Sequence, residues 1–242
     1  MTSAILPSEI NLDKLFYTES LFDSIDKLHE AGFQIVRGTA KDKVTVFSHP
    51  SLPGHLFKKF LRNVSQSYNR QFASYERRVR GARDLNTHLE AFNIRSIVVP
   101  RKWLCVLPPR FHSNGNPEHV VIVEKCNFLY DDESRQRYRT IANDALKDLC
   151  TIFFTFRRID FSSNNMPFTA EGKISFIDTG CLTRVTEDLT FRRKNYEKNV
   201  DKLFTDESRQ FAKSLWDELA SRHDLLKPRT SEEVVLLDSS PK

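Results

Sequence analysis

Glycine is scarce in this chain, and this scarcity limits which folds and sites the sequence can form. Only 7 of its 242 residues are glycine, whereas average usage of about 7% would give roughly 17. Collagen repeats, barrels with many glycine corners and loops that bind phosphate through several glycines are therefore disfavoured. The 39% apolar and 29% charged residues are otherwise typical of a globular chain, and they exclude wholesale disorder.

Charge and cysteine content narrow the class of protein further. A net charge of +5 suits acidic ligands such as nucleotides, but it does not require nucleic acid. The arginines clustered between residues 77 and 83 are interpreted as a solvated helix face. The four cysteines form no C-x-x-C pair, which is typical of a reduced intracellular protein without a zinc site. No apolar stretch approaches the ~18 residues of a membrane span, so we predict no membrane span. From the modest net charge we also predict no nucleic-acid partner.

Hydrophobic spacing in the first half of the chain predicts a helical start followed by strands and one long helix. Helical spacing dominates residues 1–31, and the long helix runs from about Phe72 to Phe92. Runs of β-branched and aromatic residues bounded by turn residues predict six short strands around it. These strands are Phe33–Val36, Lys43–Phe47, His55–Lys58, Ile97–Val99, Trp103–Leu107 and Val120–Val123.

The second half of the chain is predicted to be mainly helical. Apolar spacing indicates a helix from Tyr138 to Phe156, and a hairpin follows with Glu171-Gly172 at its tip. A last helix begins near Thr205, which is a suitable N-cap residue. We expect four regions: a helical extension at 1–31, a sheet lobe at 32–124, a reduced helical lobe at 125–227 and a flexible tail at 228–242.

Two neighbouring lysines on the third strand are candidates for contacting nucleotide phosphates. Side chains alternate between the faces of a strand, so Lys58 and Lys59 point in opposite directions. We prefer Lys58, because Leu56 is smaller than Phe57 and would leave room for a base on that face. Glu76 falls on or beside the apolar stripe of the long helix, where a carboxylate is costly unless a cation pairs with it. Surface lysines and a solvated glutamate remain the alternative for these positions.

A second group of polar residues follows the helix that ends near Phe156. Asp160 and Asn165 have the spacing D-x-x-x-x-N, which would put an acceptor beside a substrate hydroxyl and an amide oxygen beside a metal. An ordinary polar turn explains these two residues equally well. Asp178 directly follows an apolar strand and begins the turn that continues with Thr179-Gly180. An aspartate at this position is well placed to bind Mg²⁺. This turn is the most specific single signal in the chain.

In their order, these motifs resemble those of the protein kinase-like superfamily from about Phe33 to Gly180. The resemblance implies an α+β, two-lobed protein kinase-like fold with an antiparallel-sheet N-lobe and a truncated helical C-lobe. It also implies ATP and Mg²⁺ as cofactors, because phosphoryl transfer requires neutralised phosphates, bound magnesium and an oriented acceptor hydroxyl. The resemblance implies that Lys58, held by Glu76, contacts the α- and β-phosphates and that Gly38 belongs to the glycine-rich loop. Asp160 would orient the acceptor hydroxyl, and Asn165 and Asp178 would bind magnesium. Val123 and backbone groups of Lys125 and Cys126 would contact adenine.

The chain departs from the family pattern in several places. The glycine-rich loop is reduced to Gly38, H-R-D reads Arg158-Ile159-Asp160, and D-F-G has Thr179 in place of Phe. Little sequence follows Gly180, so we expect the lobe that docks peptide substrates to be reduced. This reduced form resembles minimal kinases among bacterial effectors, which implies a cytoplasmic protein or a secreted effector acting inside a host cell.

The predicted function is that of an ATP- and Mg²⁺-dependent protein Ser/Thr kinase of minimal size with a protein substrate. A pseudokinase-type binding module is the main alternative, and the reduced glycine loop favours it. A small-molecule kinase similar to aminoglycoside phosphotransferases is a further alternative. Asp178-Thr179-Gly180 matches the aspartic-protease signature too, but the sequence has no second copy and no glycine after Gly180, which argues against that enzyme.

Overall fold

The fold of the chain is mixed α+β, as predicted, with a five-stranded antiparallel sheet and helices. The structure is a computed structural model, and it describes residues 11–38, 44–61, 67–112, 116–129, 131–157, 165–180, 182–184 and 189–221. The chain divides into two compact units, residues 1–135 with 158–182 and residues 136–157 with 183–242. The lobe boundaries expected from the sequence stay predictions, and the predicted tail at 228–242 lies outside the described residues.

The elements alternate between strands and helices in the first unit and are mostly helical in the second. The first half contains α1 Leu12–Leu15, a 3₁₀ turn Glu19–Phe22, α2 Ile25–Glu30, β1 Gln34–Arg37, β2 Thr45–Ser48, β3 His55–Lys59, α3 Tyr68–Ala91, β4 Ile97–Val98, β5 Lys102–Val106, a 3₁₀ turn Pro109–Phe111 and β6 His119–Glu124. The second half contains α4 Asp131–Arg139, α5 Asn143–Thr155, β7 Phe156–Arg157, β8 Ile174–Ser175, β9 Thr183–Arg184, α6 Leu189–Leu203 and α7 Asp206–Ser221. None of the described helices is long and apolar enough to cross a membrane.

One face of the main sheet carries an aromatic core. The strand order is β1-β2-β3-β6-β5, and Phe47, Phe57 and Ile122 lie opposite one another across three strands. These residues pack against the N-terminal helices, whose Phe16 and Phe22 are fully buried. Burial of several aromatic side chains supplies a large part of the apolar area that stabilises this unit. The N-terminal segment therefore belongs to the core of the first unit.

The other face of the sheet packs against α3. Val121 and Val123 of β6 form a smaller cluster with Phe60 and with Tyr75 of α3. The hydroxyl of Tyr75 accepts a hydrogen bond from the backbone N–H of Phe60 at 2.7 Å, which fixes the start of α3 against the end of β3. This inner face also carries Lys58, because alternate residues of a strand share a face.

A short parallel pair leads the chain to Asp178. Ile97 and Ile174 pair in parallel between β4 and β8, and the N–H of Phe176 then donates to the carbonyl of Val98 at 3.0 Å. The predicted hairpin before it is confirmed: Thr169 and Lys173 are joined by a backbone hydrogen bond of 2.7 Å around the tip. These contacts hold the strand that ends at Asp178 within the first unit.

The predicted continuous helix from Tyr138 to Phe156 is two helices in the structure. The break lies at Ala142, which has the extended dihedrals φ −66° and ψ 145° and caps α5. Asn143 and Asp144 follow it, and polar or acidic residues favour a helix N-terminus. Apolar spacing continues across the break, so periodicity alone joins the two segments. The last helix begins at Asp206, directly after the predicted N-cap Thr205.

Candidate functional site

The two lysines at the end of β3 lie in different environments on opposite faces of the sheet. The side chain of Lys59 is only 3% exposed, and its Nζ lies 2.9 Å from the Glu118 carboxylate. It also lies 5.3 Å from the centre of the Phe22 ring, so it belongs to the aromatic core. Lys58, the candidate preferred from the sequence, is partly buried on the inner face. Its electrostatic neighbours there include Asp178.

The environment of Lys58 disfavours its charge. Burial lowers the pKa of Lys58 to about 8, and Arg78 and Arg37 add to this effect, whereas the Asp178 carboxylate opposes it. A lysine in this state carries less positive charge at neutral pH than one in water. An anionic ligand beside it would restore the charge, because an opposite charge favours the ammonium form.

The expected pair between Lys58 and Glu76 is not formed. Glu76 is exposed on α3, and the described residues include no ion pair between it and Lys58. The reason is helical phase: two residues correspond to about 200° around a helix, so Glu76 faces away from Arg78. Arg78 is the α3 residue that lies near Asp178, with Nε 3.8 Å from Oδ1.

Asp178 is surrounded by donors and positive charge. Its Oδ1 accepts the backbone N–H of Gly180 at 3.0 Å, which closes the turn. Burial raises the pKa of Asp178, but Arg78, the Gly180 N–H, Lys58 and Lys102 outweigh it, so the net pKa is lowered. The carboxylate is therefore ionised at neutral pH, as a metal ligand must be.

Sequence reasoning missed Lys102, which lies directly behind the Asp178 turn. Its fully buried Nζ donates to Thr179 Oγ1 at 2.7 Å and to the carbonyl of Ile177 at 3.0 Å. Burial, followed by the nearby charge of Lys58, sets the pKa of Lys102 well below its usual range. Strand alternation could have indicated this residue, since Lys102 shares a face with the apolar Leu104.

The backbone of Asn165 pairs with the residue that precedes Asp178, whereas Asp160 is outside the described residues. The carbonyl of Asn165 accepts the N–H of Ile177 at 3.0 Å, one residue before Asp178. A carboxylate and an amide oxygen are hard ligands that suit Mg²⁺, which usually takes one or two carboxylates and completes its shell with waters and phosphates. The described residues contain no group of three His, Cys, Asp or Glu side chains that could hold a metal alone. The donor set thus fits magnesium only together with a phosphate ligand.

The residues expected around adenine differ in the backbone groups that they can offer. Val123 is buried on the inner face opposite Leu56. The N–H of Lys125 already donates to the carbonyl of Gly54 at 2.9 Å, so it is not available to a base. The N–H of Cys126 has no acceptor among the described residues, which leaves Cys126 as the better candidate donor.

Gly38 and a basic cavity both lie near the start of β2, where Thr45 is close to Gly38 and Val44 lines the cavity. Gly38 has a φ of +121°, and a side chain there would come within 3.0 Å of the Thr45 backbone, so this position requires glycine. The loop that follows it, including Lys41 and Lys43, lies outside the described residues. A cavity of about 430 Å³ is lined at one wall by three arginines of α3. Its lining residues are Val44, Phe60, Asn69, Arg70, Ala73, Ser74, Arg77 and Arg78.

Comparison with known proteins gives no family assignment. No family model and no curated protein matches the chain. Among solved structures, a co-crystal of WbdD with the kinase inhibitor LY294002 is similar at 11% identity and a TM-score of 0.38, covering 86% of this chain and 49% of that one. A structure of the bifunctional kinase-methyltransferase WbdD matches at 12% identity and the same TM-score of 0.38, covering 85% of this chain and 50% of that one. The chain spans about half the length of these proteins, and a likeness of this degree does not decide its function.

Proposed function

We propose that this chain is an ATP- and Mg²⁺-dependent phosphotransferase, namely a protein Ser/Thr kinase of minimal size. The observation that carries the proposal is the electrostatic coupling of Lys58 and Asp178 on one face of the first unit. A partly buried lysine beside an ionised aspartate can serve a nucleotide, with the lysine on its phosphates and the aspartate toward their metal ion. Both residues come from motifs in the order that the kinase resemblance requires.

Each residue of the candidate site has a separate role in this proposal. Lys58 binds the α- and β-phosphates, and their negative charge raises its lowered pKa. Asp178 and Asn165 hold Mg²⁺, which shields phosphate charge when bound, and Asp160 orients the acceptor hydroxyl. The three arginines of the cavity add positive potential near the phosphates. Val123 and the Cys126 N–H form the adenine end.

A labelling experiment tests the proposal. The purified protein is incubated with Mg²⁺ and γ-labelled ATP, with casein, histone or an aminoglycoside as acceptor. We expect transfer by the wild type and at least ~100-fold less by Lys58→Met and Asp178→Asn, since electrostatic groups at reacting phosphates contribute this much. Lys173→Met, which removes an exposed lysine of the hairpin, is the matched control and should transfer normally. Equal labelling by the wild type and Asp178→Asn would show that the activity is not from this site.

A pseudokinase-type binding module is the second candidate, because Glu76 does not pair with Lys58. In kinases the pair on strand and helix must be in place for activity, and here Arg78 supplies Asp178 with a positive charge without any metal. A nucleotide-dependent rise in melting temperature without any transfer would favour this module. Transfer only to the aminoglycoside would instead identify a small-molecule kinase.

A further inference from the structure

Thr179 connects three elements of the first unit through one hydroxyl group. Its side chain is fully buried, its Oγ1 lies 2.7 Å from Lys102 Nζ of β5, and the same oxygen lies 2.6 Å from the carbonyl of Arg78 in α3. An ammonium group can only donate and a carbonyl can only accept. The Thr179 hydroxyl therefore accepts from Lys102 and donates to Arg78 through the same oxygen atom, which an apolar side chain of the same shape could not do.

The helix α3 has a glycine at the point where it contacts the turn. Gly81 of α3 lies against Thr179, and a Cβ at Gly81 would be 2.2 Å from the Thr179 carbonyl oxygen. Glycine inside a helix is unfavourable relative to alanine, so a glycine here has a packing reason. Because Gly81 has no Cβ, the backbone of α3 lies closer to the turn than it could with any other residue at this position.

Lys102 completes the attachment from the sheet. Its second bond goes to the carbonyl of Ile177, one residue before Asp178. Asp178 is thus flanked by two residues that are held by the same buried ammonium group. A buried lysine is costly unless its donors are used, which indicates that these bonds are the reason for its position.

We infer that Lys102 and Thr179 are positioning residues that hold Asp178 against α3 and so set its orientation for metal and phosphate binding. This inference rests on the proposed phosphotransferase function. It assigns to the Lys102–Thr179–Arg78 chain the coupling between helix and site that the absent Lys58–Glu76 pair was expected to provide. The helix is joined to the site by its backbone carbonyl, so this coupling does not require an acidic side chain on α3.

Thr179→Val and Thr179→Ser form the matched pair that tests the inference. Valine keeps the shape of threonine but removes the hydroxyl, whereas serine keeps the hydroxyl. The first readout is hydrogen exchange of the Gly180 amide, which donates to Asp178 and so reports on the turn without any need for catalysis. We expect at least 10-fold faster exchange in Thr179→Val and wild-type exchange in Thr179→Ser, with exchange of Val120–Val123 in the core as the control for global unfolding.

The second readout is phosphotransfer. Because a positioning residue acts through Asp178, Thr179→Val should lower kcat at least 10-fold while the KM for ATP changes less than 3-fold, and Thr179→Ser should restore kcat. Lys102→Met, which retains an apolar side chain of similar length, should also speed Gly180 exchange. Unchanged Gly180 exchange in both Thr179→Val and Lys102→Met would overturn the inference, as would equal effects of valine and serine. Faster Gly180 exchange in Thr179→Val, combined with a wild type that transfers no phosphate, would retain the positioning role and reject the proposed function.

Discussion

At the residue scale, adjacent lysines of β3 have opposite energetic roles. Lys59 is paired with Glu118 at 2.9 Å inside the aromatic core, whereas Lys58 lies on the other face with its charge disfavoured by burial. A paired buried charge is part of the packing, and its removal leaves its partner uncompensated. Desolvation combined with a nearby opposite charge, here that of Asp178, is instead typical of a functional site. The two positions should therefore respond differently to the same substitution.

We expect Lys59→Met to destabilise the protein and Lys58→Met to leave its stability unchanged or higher. Removing Lys59 takes the ammonium group away from the largely buried Glu118 carboxylate, at a cost of about 3–5 kcal/mol. Removing Lys58 relieves the folded state of a poorly solvated charge. Urea unfolding at pH 7 measures both, and the double variant Lys59→Met/Glu118→Gln should recover most of the lost stability. Equal destabilisation by the two single variants would contradict this distinction.

The pKa of Lys58 predicts a pH limit for nucleotide binding. Because the folded-state pKa is lowered to about 8, the ammonium form is present below that pH and is lost above it. Nucleotide affinity should fall by up to about tenfold per pH unit above 8, until the higher pKa of the bound form is reached. Calorimetric titration of ADP with Mg²⁺ between pH 6.5 and 9.5 measures this dependence. Lys58→Arg, whose charge persists throughout this range, should bind with a flatter profile.

At the element scale, α3 is the part of the site that sequence patterns described least well. The helix itself was predictable from apolar residues at three- and four-residue spacing, and Asp178 was predictable from its position after an apolar strand. The phase of the helix was not resolved finely enough to separate Glu76, which is exposed, from Arg78, which faces Asp178. The bond of Lys102 to Thr179 joins residues 77 positions apart, and local periodicity carries no information on such a contact.

The close contact between α3 and the Asp178 turn predicts an unusual sign for a helix substitution. Gly81→Ala would normally stabilise a helix by about 0.5–1 kcal/mol, but here its Cβ would meet the Thr179 carbonyl oxygen at 2.2 Å. We expect a loss of about 1–3 kcal/mol, because one of the two backbones must shift. Chemical denaturation measures this loss. Gly54→Ala, where nothing lies within 4 Å of the new Cβ, is the control, and a stabilised Gly81→Ala protein would contradict the packing described here.

At the scale of the whole molecule, the N-terminal segment is part of the first unit's core. Phe16 is fully buried against Phe57 and Phe111, whereas the next residue, Tyr17, is 60% exposed. Arg110 donates from its Nε to the carbonyl of Phe16 at 3.1 Å, which links the end of α1 to the 3₁₀ turn Pro109–Phe111. The sequence predicted this segment as a separate helical extension, since helical spacing alone does not reveal which surface a helix covers.

Phe16→Ala and Tyr17→Ala test this assignment as neighbours in sequence. Phe16→Ala should cost about 3–5 kcal/mol, because it leaves a cavity among aromatic rings. Tyr17→Ala should change stability by less than ~0.5 kcal/mol, since its side chain is largely in solvent. Thermal unfolding followed by circular dichroism measures both. Similar small effects of the two substitutions would mean that the segment is not docked on the sheet in solution.

The docking of the N-terminal helices has a consequence for biosynthesis. Phe16 is made before the residues that cover it: the Arg110 that binds its carbonyl follows 94 residues later, and β6 follows after that. At about 5–20 residues per second, the ribosome needs roughly 5–20 seconds before the surface that covers these phenylalanines exists. During that interval an apolar helical segment is exposed on the nascent chain. Yield in cells should therefore depend on chaperones that bind nascent apolar segments, and slower translation at low temperature would prolong this exposure as well as reduce crowding among incomplete chains.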